Sequence, residues 1–146
     1  MSWDFSSCLA RQDALIKLFS QSNEPQSRYT KLIEMGRELA KNSHKEVMLA
    51  EHLVRGCQSE VFLVARIENG KIFFDIYTEA LISAGLVAIL LHIYQGEPAE
   101  VILKCPPSCL TQLGLQASLT PARSNGLASI YLKMQQDVLR FLINRN

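Results

Sequence analysis

The dipeptide Asn69–Gly70 constrains the fold more than any other feature of the chain. A two-residue Asn-Gly link closes a tight hairpin, because both linking positions need positive φ and these residues tolerate it. Before it, Val61 to Ile67 is rich in β-branched and aromatic side chains, and after it Lys71 to Ile76 resumes the same pattern. Such residues fit a pleated, half-buried surface. One antiparallel hairpin over about residues 61–76 follows, and the sequence offers no second one. Because a lone two-stranded ribbon is marginal in water, the sheet must be small, gain at least one further strand and pack on helices. The added strand is expected from residues 50–56 or from near Val101 to Lys104.

Helical spacing accounts for most of the rest. Leu9 to Phe19 carries Leu15, Ile16, Leu18 and Phe19 on one face, and Asn23, Glu24 and Pro25 break it. From Ser27 to Lys41, the residues Tyr29, Leu32, Ile33, Met35 and Leu39 form a stripe. Gly36 inside that stripe costs on the order of 1 kcal/mol relative to alanine. Thr78 is placed to cap a helix from Glu79 to about Tyr94 that is apolar nearly all round and ends at Gly96. Glu97–Pro98 reads as the start of a short helix stopped by Cys105 to Pro107. Leu127, Ile130, Tyr131, Met134, Val138 and Leu142 give a long C-terminal amphipathic helix. The sum is α+β, a small antiparallel sheet packed against several helices.

The chain has 146 residues, of which 48% are hydrophobic and 20% charged, as expected of one globular domain over residues 1–146. Its formal net charge of +1 gives no field to gather phosphates or acidic lipids, so neither nucleic acid nor a membrane surface is the expected partner. Met1 to Leu18 lacks a basic n-region and an apolar h-region, which points to a cytoplasmic protein. The most apolar stretch, Ala84 to Ile93, is about half of what spans a bilayer and reads as a buried helix, with His92 packed in it. In that compartment the four cysteines, Cys8, Cys57, Cys105 and Cys109, are expected as free thiols. Only Cys105 and Cys109 lie close together, interrupted by Pro106 and Pro107, a poor zinc spacing.

Chemistry concentrates in Val54-Arg55-Gly56-Cys57-Gln58-Ser59. Gly56 permits a sharp turn that presents Cys57 at a loop tip. Arg55, two positions before the cysteine, supplies positive charge that would favour thiolate, the nucleophilic form. Gln58 and Ser59 are able to hydrogen-bond the loop or the sulfur, or to fix the turn. Read from residue types alone, Cys57 fits a small buried hydrophobe, which is what unpaired cysteines most often are, better than a reactive thiol.

Longer patterns separate these readings. Gly56-Cys57-Gln58-Ser59 followed by Glu60-Val61-Phe62-Leu63 resembles the signature of the SufE sulfur acceptors. Tyr29, Leu32, Ile33, Glu34, Gly36 and Leu39 are similar to that family's Y-x-x-I-I-E-x-G-x-x-L helix. Ile82 to Ala88, with Gly85-Leu86, resembles its central helix, and Leu119-Thr120-Pro121-Ala122-Arg123-Ser124-Asn125-Gly126-Leu127 its L-T-P-x-R-x-x-G-L segment. Phe62 stands where tryptophan is usual, Glu60 where glutamine is frequent, Ala84 where a basic residue is common and His52 where asparagine is frequent.

The resemblance implies a SufE/NifU-like fold and a persulfide relay in which Cys57 takes sulfane sulfur from a PLP-dependent cysteine desulfurase (SufS-like). It then passes that sulfur to a downstream iron–sulfur scaffold. Such a protein is a sulfur carrier that stimulates the desulfurase rather than an independent enzyme, needs no cofactor, and is a monomer or weak dimer. Arg123 matches the family's arginine, with a planar fork suited to a carboxylate, a persulfide anion or the partner's surface. Gly126 matches as a close-packing position. Cys57 is expected to rest against apolar side chains of the central and C-terminal helices and to swing out on docking. A non-catalytic adaptor that regulates the desulfurase by binding, or an iron–sulfur scaffold of the same fold, are the alternatives.

Overall fold

In the computed structural model, residues 3–116 and 118–144 are described. Helix α1 spans Ser6–Phe19, with the Asp4 carboxylate accepting from the Ser6 amide at 2.9 Å at its start. Helix α2, Pro25–Lys41, begins on a proline whose missing N–H loses nothing there. Its Arg28 and Lys31 donate to the Phe19 and Leu18 carbonyls at 3.2 and 3.3 Å, satisfying groups that the end of α1 leaves open. Single 3₁₀ turns follow at Lys45–Val47 and Ala50–His52.

Strands β1, Phe62–Glu68, and β2, Lys71–Tyr77, pair in the expected register around Asn69 (φ 52°) and Gly70 (φ 78°). Leu63 faces Ile76 and Ala65 faces Phe74 on the inner face, all four buried. On the outer face Arg66 stacks over Phe73 at 5.1 Å and bonds Asp75 at 3.1 Å. Helix α3, Leu81–Tyr94, lies buried at the centre. Its Gly85 and the Gly36 of α2 meet where the two helices cross, so close that a Cβ on Gly36 would sit 2.5 Å from the Leu81 carbonyl oxygen. The glycine that weakens α2 on propensity is what lets α2 approach.

The third strand, β3, is Glu97–Pro98, not residues 50–56 and not Val101 to Lys104. Gly96 at φ 81° reverses the chain after α3, so the next two residues run back along β2 before they lead into the short helix expected there. The Gln95 side chain extends that ladder: its Oε1 accepts from the Phe74 amide at 2.7 Å and its Nε2 donates to the Phe74 carbonyl at 3.1 Å. From residues 50–56 only Leu53 reaches the sheet, as a single bridge to Phe62. Helix α4 then begins at Ala99 and ends at Lys104, with Pro98 as its N-cap.

After a 3₁₀ turn at Ser108–Gln112, helix α5 runs from Pro121 to Ile143, starting six residues before the apolar stripe because Thr120 caps it and Pro121 opens it. Its Tyr131 stacks on Tyr94 at 5.4 Å, and their hydroxyls donate to the Ile102 and Cys105 carbonyls at the end of α4, at 2.8 and 2.6 Å. Asp137 of α5 is buried; it accepts from the Ala65 amide of β1 at 3.1 Å and pairs with Lys133 at 2.6 Å and with Arg140. Asp137→Ala leaves the Ala65 N–H without its acceptor and is expected to lower unfolding free energy by about 1–3 kcal/mol, read by urea titration. His92, expected in the core, is exposed on α3.

Candidate functional site

The loop that carries Cys57 is fixed at its base and turned at its tip. Val54 donates to the Val61 carbonyl at 2.8 Å, Leu53 bridges Phe62, and the buried Thr78 hydroxyl donates to the Glu60 carbonyl at 2.8 Å. Thr78 also accepts from the Ala80 amide at 3.3 Å, so it joins the loop to the approach of α3 instead of capping the helix, which starts at Leu81 without a side-chain cap. Gly56 holds φ at 93° and lies so near α5 that a Cβ there would be 2.5 Å from the Ser129 hydroxyl oxygen. A side chain at 56 is excluded by both conformation and contact.

Turned this way, Cys57 settles on α5. Its Sγ donates to the Gly126 carbonyl at 3.6 Å, and a Cβ on Gly126 would stand 3.6 Å from the sulfur. The thiol is half-buried, whereas Cys8, Cys105 and Cys109 are buried. A cleft of about 560 Å³ opens beside it, floored by Leu86 and Ile130, with Tyr29 and Ile33 of α2, Leu81 and Ile82 of α3, and Arg123 on its walls. Gln58 and Ser59 also line this cleft, and neither makes a side-chain hydrogen bond among the described residues. Arg123 is half-buried; its guanidinium donates to the Ser118 carbonyl at 3.1 Å and its amide to the Thr120 hydroxyl at 3.4 Å.

Arg55 does not line the cleft that holds the thiol. It is exposed and lines a separate groove with Glu51, Ser129, Lys133 and Arg140, on the far side of the loop, because Gly56 turns the chain between the two residues. Burial pushes the Cys57 thiol above its ordinary value. The neutral form is favoured in the fold, so alkylation of Cys57 by iodoacetamide should accelerate at a higher pH than for an exposed cysteine. Unfolding in urea should return the midpoint to the ordinary range; identical midpoints would show that the resting thiol is not shielded.

The other three cysteines gather elsewhere. Gln12 of α1 donates to the sulfurs of Cys8 and Cys105 at 3.6 and 3.8 Å and accepts from the Cys109 amide at 2.9 Å. Burial lifts Cys8 to about 12 and Cys109 to about 11, which marks these as packed thiols that resist ionisation. The sequence reading named two walls of the Cys57 cleft, α3 and α5, and missed the third. Tyr29 and Ile33 lie on a helical stripe that looks like any core-facing stripe, and only the close crossing at Gly36 and Gly85 brings them to the cleft. Ser129 and Thr78 likewise carry no local signal for their parts in seating the loop.

Among the described residues no helix is long and apolar enough to cross a membrane. The profile of the SufE family, described as an Fe-S metabolism associated domain, matches residues 13–138. An uncharacterized SufE-like protein of Synechocystis sp. is 31% identical over 132 residues, covering 90% of this chain and 82% of that protein. A second, from Rhizobium etli, is 33% identical over 134 residues, covering 88% and 90%. The chloroplastic/mitochondrial SufE-like protein 1 of Arabidopsis thaliana is 32% identical over 126 residues, which cover 86% of this chain but only 34% of that longer protein. In three dimensions, the solution structure of a hypothetical protein from Thermus thermophilus superposes with a TM-score of 0.75 at 25% identity, over 92% of this chain and 97% of the other. With the profile spanning α1 to α5 and the Gly-Cys-Gln-Ser loop seated between α3 and α5, the chain belongs to the SufE family.

Proposed function

We propose that this protein is a sulfur acceptor: Cys57 attacks the outer sulfur of a cysteine persulfide held by a PLP-dependent cysteine desulfurase, stimulating that enzyme, and later yields the sulfur for iron–sulfur cluster assembly. One observation carries the reading. Of four cysteines, only Cys57 is outside the core, and it sits on a loop with a fixed base and a turned tip over an open, largely apolar cleft. A sulfur relay needs both an accessible sulfur and shelter from water and oxidants. Here the resting thiol is sheltered and neutral, so it becomes a nucleophile only when the loop moves toward the partner, where a base or cation is available. Arg123 on the cleft wall supplies positive charge for the anionic persulfide or for a carboxylate of the partner.

Incubation with a cysteine desulfurase and cysteine, followed by intact-mass and peptide analysis, tests this. The expected product is one added sulfur per chain, on the peptide containing Cys57. An unchanged mass after complete desulfurase turnover would sink the proposal.

A further inference from the structure

Residues 55–59 are held by surprisingly little. The anchors at either end, Val54 to Val61 and Glu60 to Thr78, lie outside the tip. Within it, the one side-chain hydrogen bond among the described residues is that from the Cys57 thiol to the Gly126 carbonyl, at 3.6 Å. The contact of Gly56 with Ser129 is steric and holds the tip only while the tip is down. A bond that depends on an S–H donor depends on the chemical state of the sulfur.

We propose that this bond is a latch that responds to loading: it closes the loop on α5 when Cys57 is a free thiol and opens when Cys57 carries sulfur. The inference rests on the reading of Cys57 as sulfur acceptor. Loading is a transfer of sulfane sulfur, Cys57–SH + R–S–S⁻ → Cys57–S–S⁻ + R–SH. The sulfur–sulfur bond of the donor breaks, a new one forms at Cys57, and the cysteine's proton ends on the departing thiol, with no outside oxidant or reductant. Afterwards the inner sulfur has no hydrogen, and the outer one is anionic, since a hydrodisulfide is a stronger acid than a thiol. The Gly126 carbonyl then faces lone pairs instead of a donor. The added atom also extends the side chain by an S–S bond of about 2.05 Å from a sulfur already in contact with the helix.

Opening costs the helix nothing it cannot replace. A carbonyl in the middle of an α-helix accepts from the amide four residues on, so Gly126 keeps a partner when the thiol leaves. Thr78 stays bonded to Glu60 throughout and acts as the pivot. The empty carrier thus keeps its thiol down, and the loaded carrier frees the tip for the next thiol.

Trypsin reads the state of the tip, because Arg55 is exposed within it. No desulfurase is needed: the thiol protein is compared with its Cys57 methyl disulfide, made with methyl methanethiosulfonate and verified by mass, and with Cys57→Ala and Cys57→Ser. Cleavage after Arg55 should be at least about tenfold faster for the methyl disulfide and for Cys57→Ala than for the thiol, since nicking tracks the open population. Cys57→Ser, whose hydroxyl still donates, should stay within about twofold of the thiol. Equal rates for thiol and methyl disulfide, a serine variant as fast as alanine, or acceleration at Arg55 no greater than at Lys41 and Arg66 would each overturn the latch. These readouts contain no sulfur donor, so a failed latch leaves sulfur uptake standing, and a failed uptake assay leaves the donor dependence of the loop standing.

Discussion

If Cys57 is the sulfur acceptor proposed above, Cys57→Ser is expected to abolish sulfur uptake while leaving the fold intact. Serine is close to cysteine in size and keeps a donor for the Gly126 carbonyl, so the loop retains its seat on α5. What is lost is the nucleophile, because a hydroxyl has no accessible anion at neutral pH and does not hold sulfane sulfur. With desulfurase and cysteine, the variant should gain no sulfur where the parent gains one atom per chain, and desulfurase turnover should fall to the level of the enzyme alone. Circular dichroism and urea midpoint should match those of the parent. If the serine variant still stimulates turnover fully, the protein acts by binding, and the adaptor reading replaces the relay.

The second large effect is expected at the α2–α3 crossing, far from any reacting atom. In Gly85→Ala the new methyl would lie 2.5 Å from the Leu32 carbonyl oxygen and 2.8 Å from its Cδ1. In Gly36→Ala it would meet the Leu81 carbonyl oxygen and, at 2.8 Å, the Gly85 amide nitrogen. Backbone cannot turn aside as a side chain can, so the helices must part. Alanine favours a helix over glycine by about 1 kcal/mol, yet overpacking a closed contact costs typically about 1–3 kcal/mol and sometimes more. The clash wins, and each variant should lose stability in urea titration. Because both methyls enter one crossing, the double variant should lose less than the two losses added. The same displacement carries Tyr29 and Ile33 away from the sulfur, so Cys57 should be alkylated faster in both variants. Unchanged stability would mean that the helices tolerate a wider spacing.

Those glycines show what a sequence does and does not disclose. The hairpin was legible because Asn69–Gly70 is a local signal with a local cause, and the long helices were legible because their stripes repeat. Cys57 and Arg123 were picked out by resemblance, and the fold does place both on one cleft. The place of Arg55 was not legible, because closeness in sequence does not fix closeness in space: with Gly56 at positive φ, Arg55 lines a groove separate from the Cys57 cleft. The third strand was missed for a different reason. Glu97–Pro98 has the composition of a helix start, and its strand pairing depends on the reversal at Gly96 and on a glutamine side chain that imitates backbone. Thr78 had a sound local reason to cap a helix, but the Glu60 carbonyl, brought near by the hairpin, took its hydroxyl.

Asp137 has a bearing on how such a protein stays apart from its own kind. An unpaired strand edge is a template onto which another chain can add, and β1 lies at the rim of the three-stranded sheet. At one end of that rim Leu53 already bridges Phe62, and in the middle the Asp137 carboxylate takes up the Ala65 N–H. An incoming strand would have to displace a buried, doubly paired carboxylate to find that donor. The same helix that seats the Cys57 loop therefore also occupies an edge donor of β1 that an added strand would need.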